Sequence, residues 1–188
     1  MVRPNSMNGL AHANRPLSRD HVGSLLRPQA VPDARKAFFE TQSISAQTLK
    51  AAADDAIREL AAMQIDVGLA AVTDGEVRRS FWHYDFMGGP NGLDLVERSE
   101  GVQFQGATLR PIFPTITGRL SFPSDHPMPS HFDYLASVSE AQPKISIPSP
   151  SCCHFRTART DIIPLEYADL ELLFSDLERT YADAVQAF

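Results

Sequence analysis

Two carboxylates and two guanidiniums are crowded into one short stretch, Ala70-Ala71-Val72-Thr73-Asp74-Gly75-Glu76-Val77-Arg78-Arg79-Ser80-Phe81-Trp82. Residues two apart on an extended segment project to the same side, so Asp74 and Glu76 could face one pocket and hold an ammonium group. Arg78 and Arg79 could bind a carboxylate, or could neutralise the two acids in an internal salt-bridge cluster. The spacing alone leaves both readings open.

Other reactive groups fit less well with known chemistry. Cys152-Cys153-His154 offers thiol and imidazole donors. Adjacent side chains of an extended chain diverge, however, and zinc sites normally use spacings such as C-x2-C or H-x3-H. One buried cysteine beside a loop cysteine, with no metal, is the expectation. His21 and Ser24 stand too close in sequence to speak for a hydrolase triad, and no G-x-S-x-G elbow is present. Neither G-x-x-x-x-G-K-[ST] nor G-x-G-x-x-G occurs, so nucleotide binding by those loops is excluded.

The acids at 74 and 76 must be positioned by what flanks them. The small apolar run before Asp74 reads as a buried strand, and Asp-Gly-Glu as the turn that follows it. In parallel α/β folds ligands sit beyond the C-terminal ends of the strands, which is where this turn would lie. Before it, residues 45–68 are helical in pattern: Leu49, Ala53, Ile57, Leu60 and Met63 or Gln64 share a face, Lys50, Asp54, Asp55, Arg58 and Glu59 lie away from it, and Gly68 suits the C′ position. Earlier still, a short extended segment ending at Gly23-Ser24 is read as the first strand of a βαβ unit whose second strand is the 70–73 run. Pro28 and Pro32 are expected to keep the chain extended or turning after it.

Downstream, 83–92 reads as an aromatic, glycine-rich loop. Residues 103–122, interrupted by Pro111 and Pro114, read as edge or hairpin strands. A short helix is expected over 131–138, and a short strand over 143–148 that runs into Ser149-Pro150-Ser151. Finally, Leu170, Leu173, Phe174, Leu177, Tyr181, Ala184, Val185 and Phe188 follow steps of three and four, which predicts a helix.

At 188 residues the chain is long enough for one domain with a sizeable core. Its net charge of -6 argues against nucleic acid or an anionic membrane surface as a partner. The two cysteines are adjacent, no apolar run approaches the roughly 18 to 20 residues of a membrane span, and the start lacks a signal-type apolar core. A cytoplasmic protein is expected, with residues 1–16 as a poorly ordered arm.

Three motifs in order carry a family resemblance. They are His21-Val-Gly-Ser-Leu-Leu-Arg27-Pro28, then Val72-Thr-Asp-Gly-Glu-Val-Arg-Arg79 with Trp82 and Asp85-Phe86, then Lys144-Ile-Ser-Ile-Pro-Ser-Pro-Ser151 with His154-Phe-Arg156. Together they resemble the cobalamin-independent methionine synthases, particularly the short single-domain relatives. The resemblance implies an α/β fold, a partial TIM-type (β/α)8 barrel comprising roughly the first half, over residues 17–188. It also implies transfer of a methyl group from 5-methyltetrahydrofolate to the thiol of homocysteine. By matching positions, Gly23, Ser24 and Glu76 would bind the amino-acid moiety of homocysteine, with His21, Asp74, Arg79 and Trp82 as pocket neighbours. The family's zinc is held by a His-x-Cys pair, a Glu and a later Cys of the second half, none with a counterpart in this chain. The chain alone is therefore expected to be inactive. Its partner beyond the small-molecule substrate would be a missing C-terminal half or a second copy in a homodimer. The alternative is a non-catalytic binding or regulatory half-barrel that pairs with another chain.

Overall fold

The structure, a computed structural model, describes residues 20–99, 103–108, 111–154, 167 and 169–188. The N-terminal arm expected over 1–16 lies outside the described residues.

Helix α1 (Ala30–Phe39) is the first helix among the described residues. Pro32 was expected to keep this region out of a helix, yet it stands in the first turn, where a missing N–H removes no intrahelical hydrogen bond. Helix α2 (Ala46–Asp66) follows the predicted apolar stripe: Ala53, Ala56, Ile57, Leu60 and Ala61 are buried. Ser45 caps its start by accepting a 3.1 Å bond from the Thr48 amide. At its end Gly68 takes φ +85°, the left-handed conformation that a glycine adopts without a Cβ penalty. The chain then enters strand β1 (Ala71–Val72), both residues buried.

β1 does not pair with the 20–24 segment. It pairs in parallel with β6 (Gln142–Pro143), Ala71 opposite Gln142 and Val72 opposite Pro143, and the Lys144 amide extends the ladder to the Val72 carbonyl at 2.8 Å. Residues 20–28 form no strand. Gly23 at φ +96° breaks the extension there, and the segment reaches the turn after β1 through one backbone bond, Leu25 N to Gly75 O at 3.1 Å. The βαβ unit therefore exists, but its strands are β1 and β6.

Its crossover helix, α4 (Pro127–Val138), begins four residues before the predicted start because His126 caps it, its ring accepting a 3.2 Å bond from the Met128 amide. Helices α2 and α4 pack on each other and on the two strands. Val31, Ile57, Leu60, Val72, Val77 and Leu135 form the core between them, each large aliphatic side chain contributing about 1.5–3 kcal/mol of burial.

Between β1 and α4 the chain makes a long excursion. The loop expected over 83–92 contains a helical turn, α3 (Tyr84–Met87), and the start of strand β2 (Asn91–Glu97). Strands β3 (Gln103–Phe104) and β4 (Ala107–Thr108) form a tight hairpin, as the hairpin reading of 103–122 anticipates, and β5 (Ile112–Ser121) pairs antiparallel with β2, a strand outside that reading. The β2–β5 register slips between Asn91 and Leu93. Gly92 occupies the slip at φ +72°, where an added Cβ would stand 2.4 Å from the Arg119 carbonyl oxygen, so a side chain is excluded.

Helix α5 (Leu170–Ala187) lies against β5 through Leu173, Leu177 and Ala184. Its Asp176 carboxylate, 3% exposed, receives Nε and Nη2 of Arg119 at 2.5 and 3.0 Å and the Tyr167 hydroxyl at 2.8 Å. Tyr167 in turn accepts the Leu120 amide at 2.7 Å. The described strands thus form three two-stranded sheets in a mixed α/β arrangement. Among the described residues no helix is long and apolar enough to cross a membrane.

Candidate functional site

The turn after β1 is buried throughout, and its geometry separates the two acids. Asp74 Oδ1 accepts the Glu76 amide at 3.0 Å, closing the turn on itself. Gly75 and Glu76 then both take positive φ, +61° and +55°. A left-handed conformation costs a non-glycine residue on the order of 1 kcal/mol. At Gly75 an added Cβ would press on Leu25 Cβ at 3.1 Å and Leu60 Cδ1 at 3.2 Å.

This twist carries the Glu76 side chain toward the 20–24 segment and the end of β6. Ser24 Oγ donates to Glu76 Oε2 at 2.7 Å. On the other oxygen, Oε1, Ser146 Oγ approaches at 3.3 Å and Arg79 Nη1 at 3.4 Å. Arg79, itself 5% exposed, donates further to the Ser146 carbonyl at 2.7 Å and the Trp82 carbonyl at 3.1 Å. The internal salt bridge between Glu76 and Arg79 is therefore present, and it is loose. Arg78 turns away to Asp54 of α2.

Two adjoining cavities meet at Glu76. The larger, about 390 Å³, is bordered by Gly23, Ser24, Glu76, Arg79, Trp82 and Ser146. The smaller, about 250 Å³, is bordered by His21, Gly23, Asp74, Glu76, Lys144 and Ser146. All seven residues singled out from the sequence, His21, Gly23, Ser24, Asp74, Glu76, Arg79 and Trp82, line one or both. The cavities lie beyond the C-terminal ends of β1 and β6, the position that parallel strands leave for a ligand. At Gly23 an added Cβ would meet nothing within 4 Å, so its backbone dihedral and not crowding is what calls for glycine.

Three residues that build the site were not singled out. Arg27 holds the turn from outside, donating to the carbonyls of Val77 at 3.0 Å, Glu76 at 2.9 Å and Arg79 at 2.9 Å. Ser146 meets both Glu76 and Arg79. Lys144 ties the 20–21 segment to β6 through Asp20 and the His21 carbonyl, the latter at 2.5 Å. Its hydrogen bond holds the Asp20 carboxyl below the usual carboxylate value. Arg27, Lys144 and Ser146 all fall inside the recognised motifs, which was the available signal.

Among the described residues no group of three or more His, Cys, Asp or Glu side chains is placed to hold a metal ion. Cys152 and Cys153 sit in a 3₁₀ turn (Pro150–Cys153) and not on an extended segment. Cys153 is buried, its sulfur 3.7 Å from Met87 Sδ and 3.9 Å from the Tyr181 hydroxyl. Burial pushes its thiol up to about 12, so it is not a thiolate at neutral pH.

Comparison with known proteins finds similar chains and similar structures. The chain is 36% identical over 174 residues to the uncharacterized Bacillus subtilis protein YxjH, covering 92% of this chain and 45% of that protein. It is 35% identical over 189 residues to the uncharacterized protein YxjG of the same organism, covering 98% and 48%. In structure it is similar to a provisionally named vitamin B12-independent methionine synthase of Listeria monocytogenes, with TM-score 0.71 and 34% identity, covering 90% of this chain and 47% of that one. A B12-independent methionine synthase from a Shewanella species, solved in complex with selenomethionine, shares the fold at TM-score 0.60 and 20% identity, covering 88% and 46%. No protein-family model matches the chain. The chain thus spans a little under half the length of each relative.

Proposed function

We propose that residues 17–188 are roughly the first half of a (β/α)8-type barrel of the cobalamin-independent methionine synthase kind, acting in the cytoplasm. In this reading the chain holds the amino-acid end of homocysteine for methyl transfer from 5-methyltetrahydrofolate. One observation carries it: a carboxylate only 6% exposed, Glu76, stands where two cavities meet beyond two parallel strands. The likeness to methionine synthase structures at TM-scores of 0.71 and 0.60 supports it.

Glu76 pairs with the substrate ammonium, a charge-assisted contact strengthened by burial. Ser24 keeps the carboxylate aimed at the cavity, and Arg79 stands beside its other oxygen. Gly23 and Ser24 supply main-chain amides and a hydroxyl to the amino-acid group. His21, Asp74 and Trp82 complete the walls. A free thiol with a pKa near 8.5 is mostly protonated at neutral pH, so methyl transfer requires an activating group, supplied in this family by zinc. The described residues do not fit a zinc site. The chain is accordingly assigned binding and orientation, and the chain alone is expected not to turn over.

Calorimetric titration of the purified chain with homocysteine tests this. Saturable binding weakened at least about tenfold, or about 1.4 kcal/mol, by Glu76→Gln is expected. Absence of binding at millimolar homocysteine, or equal binding by the variant, overturns the assignment. Methionine formed by the chain above a Glu76→Ala control would overturn the expected inactivity.

A further inference from the structure

A third cavity lies on the other side of the turn after β1, among α1, α2, α4 and residues 77–78. It encloses about 320 Å³, within the range of small-molecule sites. Four of its lining residues are basic: Arg35, Lys50, Arg78 and His131. The facing wall is aliphatic, with Val31, Leu49 and Val77.

Arg78 is the decisive residue. Its side chain is 10% exposed, Nη2 pairs with Asp54, and the guanidinium lies 5.1 Å from the centre of the Tyr134 ring. Nη1 is buried and has no hydrogen-bond partner among the described residues. A buried charged donor left unpaired is costly, and such groups are normally satisfied.

The surrounding charges do not cancel. Asp54 is shared, since Lys50 Nζ also reaches it at 2.7 Å. Arg35 donates to two neutral acceptors, the Arg78 carbonyl at 3.0 Å and the Ser80 hydroxyl at 3.1 Å. Two cationic side chains, Lys50 and Arg78, therefore share one carboxylate, and the carboxylate that acts on Arg35 is Asp85. Burial, and next the charge of Arg78, hold His131 below its usual value; Asp74, Asp85 and His126 are the other charged or titratable groups that act on it. Burial, and next the charge of Arg27, lower Arg35, although Asp85 opposes.

We propose that this cavity binds a small organic anion, its carboxylate or phosphate group paired with the basic side chains of Arg78, Arg35 and Lys50 that line it, its apolar body laid on Val31, Leu49 and Val77. The acidic group balances the excess of basic side chains around the cavity. The aliphatic wall selects against a bare inorganic ion. The site is independent of the Glu76 cavities, from which the backbone of the 76–79 turn divides it.

Titration calorimetry of the folded 188-residue chain with hexanoate, hexyl phosphate, inorganic phosphate and hexanol decides the matter. Saturable one-to-one binding of hexanoate or hexyl phosphate is expected, at least about tenfold tighter than hexanol and than inorganic phosphate; which of the two binds identifies the acidic group. Arg78→Gln should weaken it at least about tenfold. Leu49→Trp, which keeps every charge and fills the cavity, should abolish it, and this variant decides if Arg78→Gln fails to fold by circular dichroism. Glu76→Gln should leave the affinity unchanged. No binding of either anion, equal binding of hexanol or inorganic phosphate, unchanged affinity in Leu49→Trp, or loss of binding in Glu76→Gln overturns the proposal.

Discussion

Ser24 Oγ donates a 2.7 Å hydrogen bond to Glu76 Oε2 across 52 positions of sequence, joining the segment before α1 to the turn after β1. The bond fixes a side chain whose backbone is already twisted to φ +55°, so the direction of the carboxylate depends on a partner far away in the chain.

Removing that partner is the most direct probe. A hydrogen bond to a charged group is worth about 1.5–3 kcal/mol. Ser24→Ala is expected to weaken homocysteine binding by roughly tenfold and to lower stability by about 1–2 kcal/mol. Calorimetry and urea titration read the two effects separately, and unchanged affinity would show that Ser24 does not aim Glu76.

Gln64 governs how α2 delivers the chain to the site. Its side chain, 1% exposed, donates to the Leu60 carbonyl at 3.0 Å and the Thr73 carbonyl at 2.8 Å, and accepts the Thr73 amide at 3.0 Å. Gln64→Leu keeps the volume but strands both polar groups of Thr73. A loss of about 2–4 kcal/mol in urea unfolding is expected, whereas a loss below about 0.5 kcal/mol would mean that Thr73 finds other partners.

Acid should act through Asp176. The Arg119 hydrogen bond, against the opposing effect of burial, holds its carboxyl below the ordinary value. The unfolded chain takes up this proton near pH 4 and the folded chain only at lower pH. The contribution of Asp176 to stability is therefore complete above about pH 5 and is lost as pH falls below about 4. Asp176→Asn should be less stable than the native chain at pH 7 and should lose less stability on acidification. Parallel stability curves for the two proteins from pH 5 to pH 3 would contradict this.

The two cysteines should react at different rates. Cys153 is 2% exposed with its thiol raised to about 12, whereas Cys152 is half-buried. An aromatic disulfide reagent at pH 8 is expected to modify one thiol of the folded chain rapidly and the second only in denaturant. Two equally fast thiols would place Cys153 outside the core.

Parts of this architecture were readable residue by residue. Helix α2 announces itself because Ala53, Ile57 and Leu60 recur at helical spacing between a Ser45 cap and Gly68, and α5 does so through Leu173, Leu177 and Ala184. α1 was not legible: of its ten residues only Val31 is fully buried, and Pro32 masks the start. The strand partner of β1 was misplaced for a different reason. Two residues, Ala71 and Val72, carry no pattern that distinguishes one parallel partner from another, and β6 lies some 70 positions away beyond an entire antiparallel hairpin.

The same division holds at the site. The adjacency of acids to the end of an apolar run, and the glycines that permit the turn, are local properties, because dihedral preference and side-chain period depend on residues within a few positions. They sufficed to mark Asp74 and Glu76 as a pair. Alternation along an extended chain predicted one shared pocket for both, and both do border the smaller cavity, but positive φ at Gly75 and Glu76 gives them different roles: Asp74 closes the turn, while Glu76 reaches Ser24 and Ser146. That outcome required β6 to dock beside β1 and Arg27 to hold the turn carbonyls, contacts between residues up to 70 positions apart. No local pattern encodes such contacts, because they form only when the folded chain closes on itself.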